Sequence, residues 1–374
     1  MNSQTVPSGA SIHVGGAPDA ALAYPLARPE IGSFVAVRDG VWWISLPLPF
    51  RLDHINVWAL EDGDGWTLVD TGIRTEETVA AWERLARLAP FDRPLRRVVV
   101  THMHPDHIGM AGWLCRRSGA RLWISSLEYL TCRALVSDST REAPSDAVSF
   151  YREAGWDVAA LDSYRARFGN FGKHIYALPD SHHRITDGQS IRIGRHSWEV
   201  VTGTGHSPEH SCLYCAELQL FISGDQVLPR ISSNVSVYPI EPEANPMADW
   251  LTSLGRIQTR VPDDVLVLPA HNDCFHGLHA RIGQLIAGQD EAEAKLRKAL
   301  DTPQRVVDVF AALFHRKVSM SDAAQLGMAT GEALANLNYL IERGEAEKEL
   351  VDGVAWYRGR LSPSTAPKAS TGIK

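Results

Sequence analysis

Thr101-His102-Met103-His104-Pro105-Asp106-His107 follows directly on the strand-like run Arg96-Arg97-Val98-Val99-Val100. Three imidazoles and a carboxylate crowded together resist explanation as packing. A buried neutral histidine needs a partner for each ring nitrogen, and several side by side are costly unless something cationic organises them. Imidazole and carboxylate are the usual ligands of zinc and other first-row divalent metals. The run reads as a strand-to-helix loop. Alternate residues His102 and His104 point one way, while Asp106 and His107 open a helix and face a second place nearby. Three later residues each end an apolar strand-like run: His206 in VVTGTGHSPEH, Asp225 in LFISGDQV and His271 in VLVLPAHND. Singly each reads as a cap or turn residue; as a set they point to function.

The rest of the chain alternates between strands and helices. Strand patterns start at Val41, and a helix opens at Thr75 with acidic residues in its first turn. A second helix ends at Gly119. Residues 127–175 read as a helical insertion that covers something. Strand patterns then resume, and a helix is expected from about Leu278 to Leu300. Residues 1–30, rich in Gly, Ala, Pro and Ser, read as a loose arm, and 361–374 as a polar tail. From Thr302 three short amphipathic helices and a hairpin describe a winged helix-turn-helix over 301–360.

The histidine run with His206, Asp225 and His271 resembles the metallo-β-lactamase superfamily from about Val41 to Gly288. That resemblance implies an α+β fold over 31–300: an αββα sandwich, two β-sheets flanked by helices, with metals at one sheet edge. It implies that His102, His104 and His206 bind one metal, that Asp106, His107 and His271 bind a second, and that Asp225 bridges them. The cofactor expected is a pair of divalent ions, zinc foremost, with iron or manganese as alternatives. A hydroxide between them would be the nucleophile, oriented by the catalytic Asp106. Asp70 would be a structural support. Asp225 looks like the bridging residue of the glyoxalase-type hydrolases, which the antibiotic-hydrolysing members lack. His104 stands where the diiron flavoproteins carry a glutamate. A lactamase-like domain followed by a winged helix resembles a subgroup containing acyl-carrier thioesterases and an endoribonuclease.

Charge weighs on the choice among these. The 374 residues carry 37 Lys and Arg against 44 Asp and Glu, a net charge of −7. Between Thr302 and Arg358 six bases meet eight acids, a balance of −2, and TGEALANLNYLIERG offers only Arg343 to a phosphate backbone. Nucleic acid is therefore not the expected partner, and the C-terminal module reads as a packing lid or a homodimer element. No apolar run reaches the roughly 18 residues of a membrane span. The N-terminus has no basic residue before Arg28, so no secretory signal is read there, and five cysteines make no disulfide framework. A cytoplasmic setting is expected. Cys212 and Cys215 should face opposite sides of one strand. His54 lies at the site mouth or outside it, and Asn234 and Tyr238 are candidate substrate contacts. The expected activity is hydrolysis of an acyl thioester by a binuclear metal site; lactone opening and RNA cleavage are the alternatives.

Overall fold

The computed structural model describes residues 22–360; the expected tail and the first 21 residues of the expected arm lie outside them. Seven strands form one sheet: β1 (Phe34–Arg38), β2 (Val41–Pro47), β3 (His54–Asp62), β4 (Gly65–Val69), β5 (Leu95–Val99), β6 (Arg121–Ile124) and β7 (His183–Arg184), adjacent in that order. Pairing is antiparallel from β1 to β4 and parallel from β4 to β7. The second sheet holds β8 (Ser190–Ile193), β9 (His196–Gly203), β10 (His210–Cys215), β11 (Leu220–Gly224) and β12 (Leu266–Pro269), in the order β12-β11-β10-β9-β8. A separate hairpin pairs β13 (Ala346–Val351) with β14 (Val354–Gly359).

Two-residue alternation along the strands divides the apolar side chains between faces. Trp43 and Trp58 pair across β2 and β3 with rings 5.8 Å apart, and pack with Trp198, Val200, Leu213, Cys215 and Ile222 into the layer between the sheets. Ile44, Leu46 and Val57 face the other way. Cys212 joins the layer outside the second sheet, whereas Cys215 joins the inner one, as alternation requires.

Helices cover both outer faces. On the first sheet lie α1 (Glu76–Leu85), α2 (Pro105–Ile108), α3 (Ala111–Ser118) and α4 (Ser126–Ser137), contributing Trp82, Ile108, Leu114 and Tyr129 to one core. Thr75 caps α1 by accepting from the Thr78 amide, and Gly119 ends α3 in the left-handed conformation. The insertion continues through α5 (Ser145–Glu153) and α6 (Val158–Arg167). With α7 (Pro246–Arg260), α8 (Leu278–Ala299), α9 (Phe310–Leu313) and α10 (Ala323–Glu342), these pack outside the second sheet around one shared core. The arrangement is a mixed α+β sandwich in the order helix, sheet, sheet, helix.

Two expectations change. Residues 22–30 are not loose: Leu22 is buried, and Ala23 exchanges backbone hydrogen bonds with His276. The second and third helices expected after Thr302 are one continuous helix, α10. The Thr330 hydroxyl donates back to the Leu326 carbonyl one turn earlier, so its side chain bonds within the helix and does not cap a new one. The hairpin β13–β14 follows as expected. From Ala329 to Leu337 every residue of α10 is buried, so it is the spine of its region and not a helix presented outward.

Candidate metal centre

All seven expected residues converge at one edge of the sandwich. Backbone pairing brings the ends of β5, β9, β11 and β12 there, with His206, Asp225 and His271 just beyond the last three. His102 and His104 lie in the loop after β5. Pro105 opens α2 at a position where its missing N–H costs nothing, which turns Asp106 and His107 inward. The His107 carbonyl accepts from both the amide and the hydroxyl of Thr71, at 2.8 and 2.6 Å, and this pins the turn.

Two buried groups of donors result, each able to hold a metal ion. In the first, His102 Nε2 lies 2.9 Å from His104 Nδ1 and 3.2 Å from His206 Nε2, with Asp225 Oδ2 3.5 Å from His206 Nε2. In the second, His271 Nε2 lies 3.4 Å from Asp106 Oδ2, and His107 Nε2 lies 3.9 Å from the same oxygen. Asp225 Oδ1 faces this second group, 3.5 Å from His107 Nε2 and 3.4 Å from His271 Nε2. One carboxylate thus gives an oxygen to each. Both oxygens of Asp106 and of Asp225, with Nε2 of His107 and His271, are buried without a hydrogen-bond partner. Orphaned buried groups of this kind are expensive, and a divalent cation in each donor group would give the atoms facing it a partner.

The outward-facing ring nitrogens are held. His107 Nδ1 lies 2.8 Å from Asp70 Oδ2, His206 Nδ1 2.7 Å from the Asn234 carbonyl, and His271 Nδ1 3.3 Å from the His54 carbonyl. Each bond holds a proton on Nδ1 and turns Nε2, the nitrogen a metal would take, towards the site. Asp70 also accepts from the Thr101 amide and hydroxyl, and it sits at φ 62°, a left-handed conformation costly for a residue with a side chain. The expected support role of Asp70 is what its contacts describe.

Charge is divided unevenly between the groups. Burial, then the neighbouring histidines, holds His102 well below the usual imidazole range and His104 at about 3, so both are neutral. Burial also works against charge on His107 and His271, but Asp225 and the other carboxylates outweigh it. His107 is held well above its ordinary value and His271 is raised to about 10.

Two residues of this edge were not apparent in the sequence. His210, at the start of β10, stacks on His102 with centroids 4.8 Å apart and accepts the Asp225 amide at Nε2, 3.1 Å away. A side chain at Gly224 (φ 51°) would collide with that ring, so glycine precedes Asp225. Glu128 of α4, fully buried, accepts from the Met103 amide at 2.9 Å, the Ser207 hydroxyl at 2.6 Å and the Glu209 amide at 2.7 Å. It ties the loop of His102 and His104 to the loop of His206. The side-chain amide of Asn234, a candidate substrate contact in the sequence, is engaged by Glu332 and Ser236. Tyr238 is exposed, and His54 is buried between Asp53 and Arg28.

Residues 51–271 match the family model described as Metallo-beta-lactamase superfamily. The chain belongs to that superfamily. It is thereby a metal-dependent hydrolase, and residues 294–360 match a second model, the metallo-beta-lactamase-like C-terminal domain. A beta-lactamase domain protein from Burkholderia ambifaria has a similar crystal structure, 40% identical, with a TM-score of 0.82, covering 91% of this chain and 98% of that one. A probable metallo-hydrolase of Bacillus subtilis, YqjP, is 24% identical over 268 residues, 69% of this chain and 79% of that protein. An atrochrysone carboxyl ACP thioesterase of Aspergillus fumigatus is 24% identical over 212 residues, 56% of this chain and 36% of that protein. Among the described residues no helix is long and apolar enough to cross a membrane.

Proposed function

We propose that this superfamily member is a binuclear metal hydrolase of the glyoxalase-type branch, cleaving the thioester of an acyl carrier. The observation that carries the two-metal reading is Asp225, whose separate oxygens face the two donor groups at 3.4–3.5 Å. His102, His104 and His206 are the ligands of one ion, Asp106, His107 and His271 of the other, with zinc the ion that best suits the donor set. Two such ions supply a hydroxide at neutral pH and polarise a carbonyl. The protein's own part is to orient and to move protons. To Asp106, whose Oδ1 is buried without a partner, we assign the acceptance of the proton of the attacking water. Nothing else described at the site is a spare acid, which suits a thiolate, a leaving group that departs without protonation. The resemblance to an acyl-carrier thioesterase points the same way. We read the C-terminal region as a winged-helix-like module whose central helix is spent on packing, which favours a small acyl substrate over RNA.

Two outcomes follow. Metal-replete protein is expected to turn over acyl-CoA thioesters in a panel that also holds lactones, with activity lost to chelator and restored by zinc. A lactone preference would move the assignment to lactonase, and no turnover of either class with two metals bound would reject it. Metal binding is also expected to release protons unequally at neutral pH. His102 and His104 are already neutral, whereas His107 and His271 carry protons that an ion must displace. The second ion therefore binds more tightly as pH rises towards about 10, the value of His271. Calorimetry in buffers of different ionisation enthalpy reads this directly; two binding steps with no proton release would contradict it.

A further inference from the structure

We propose that the C-terminal domain is a working part of the metal centre, with Glu332 of α10 acting through Asn234 as a positioning residue for His206. The inference rests on His206 being a metal ligand, as proposed above. Between Asp225 and α7 the chain crosses the back of the site, and residues 233–237 of this crossing are buried. The Ser233 hydroxyl donates to the Asp225 carbonyl, and the Asn234 carbonyl accepts from His206 Nδ1. This one stretch therefore backs two members of the first donor group.

The stretch has its seat on α10. Glu332, buried at the domain junction, accepts from Asn234 Nδ2 at 3.0 Å, and the Ser236 hydroxyl donates to Asn234 Oδ1 at 2.6 Å. A carboxylate only accepts, so it decides which end of the amide faces it and fixes the Asn234 side chain in one orientation. One residue earlier, the Gly331 carbonyl accepts from the Val237 amide at 3.0 Å. A Cβ at Gly331 would lie 2.8 Å from Ser236 Cβ, so glycine is there for close approach and not to break the helix. Trp156 Nε1 donates to Thr330 and locks the same turn from the insertion side. Two consecutive residues of α10, Gly331 and Glu332, thus meet the segment that holds His206, while Thr330 ties the same turn to the insertion. A buried carboxylate contributes little to packing that an apolar side chain would not do better. Toward Asn234 its effect is directional.

The test is zinc affinity of the full-length chain in a His271→Ala background, which isolates the donor group containing His206, with the melting temperature of the metal-free protein alongside. Glu332→Ala is expected to weaken zinc binding about 10- to 100-fold, the range for groups that orient a ligand. Glu332→Gln, which keeps an acceptor for Asn234, restores most of it. Asn234→Ala costs as much as Glu332→Ala, and the double variant costs no more than either alone, because the two act in series. Should Glu332→Ala fold poorly, Gly331→Ala serves instead: alanine is the better helix former, so weakened zinc there reports displacement of Ser236 and Val237. Zinc affinity unchanged in Glu332→Ala or Gly331→Ala, or additive losses in the double variant, would overturn the inference alone. A parent chain that takes up no zinc would instead overturn the two-metal reading, and this inference with it.

Discussion

Asp225→Ala is expected to lower kcat/KM by at least about a thousandfold, roughly 4 kcal/mol of transition-state stabilisation. Among the described residues no other side chain gives an oxygen to each donor group: Oδ2 lies 3.5 Å from His206, and Oδ1 lies 3.4–3.5 Å from His107 and His271. Without it the two groups are left with three donors each and lose the charge they share. The backbone survives the change, because His210 still accepts the residue-225 amide and Gly224 keeps its turn. The loss therefore falls on metal binding and chemistry more than on folding. Asp225→Asn keeps one acceptor oxygen and is expected to hold one ion tightly and the other poorly. Metal analysis beside steady-state kinetics reads both variants. Activity of Asp225→Ala within tenfold of the parent would show that the two groups do not work as one site.

The second large effect is expected at Glu128, which lies outside the donor groups. Glu128→Leu is close to isosteric and removes the acceptor of two backbone amides and one hydroxyl in a site closed to water. Burial raises the carboxyl pKa above the usual range, against the pull of the three donors. The exchange of a costly buried carboxylate for three orphaned donors still comes out unfavourable, by roughly 3–5 kcal/mol. The neighbouring residues are His102, His104 and His206, so the loosened loops should also weaken metal binding and activity. Glu128→Gln places an amide NH₂ where one oxygen was and is expected to fall between. Denaturant unfolding of the metal-free and metal-loaded forms separates the contributions. A Leu variant as stable and active as the parent would remove Glu128 from the description of the site.

What could be read from the sequence was local. The histidine run betrays itself because its residues are adjacent and their chemistry is incompatible with ordinary burial. Thr75 and Gly119 mark helix ends through their own side chains or lack of one, and the opposite facing of Cys212 and Cys215 follows from strand alternation. His206, Asp225 and His271 became a set through the order of residues in a known family; their separate contexts say little. What could not be read depends on pairing across long stretches of chain. Glu128 is an unremarked acid in a helix until the fold brings Met103 and Glu209 to it. His210 looks like any strand histidine until β10 and β11 align it with Asp225. Leu22 and Ala23 sit in a Gly- and Pro-rich segment, and the distant core that receives Leu22 and the His276 backbone that pairs with Ala23 order them. Thr330-Gly331 carries the local marks of a helix boundary, and tertiary packing against Ser236 and Val237 gives those residues a different use.

Metal content per chain is the most direct check. Protein purified without chelator and then dialysed against limiting zinc should retain two equivalents by elemental analysis, falling to one in His271→Ala. A properly folded chain that saturates at one equivalent or none would contradict the account.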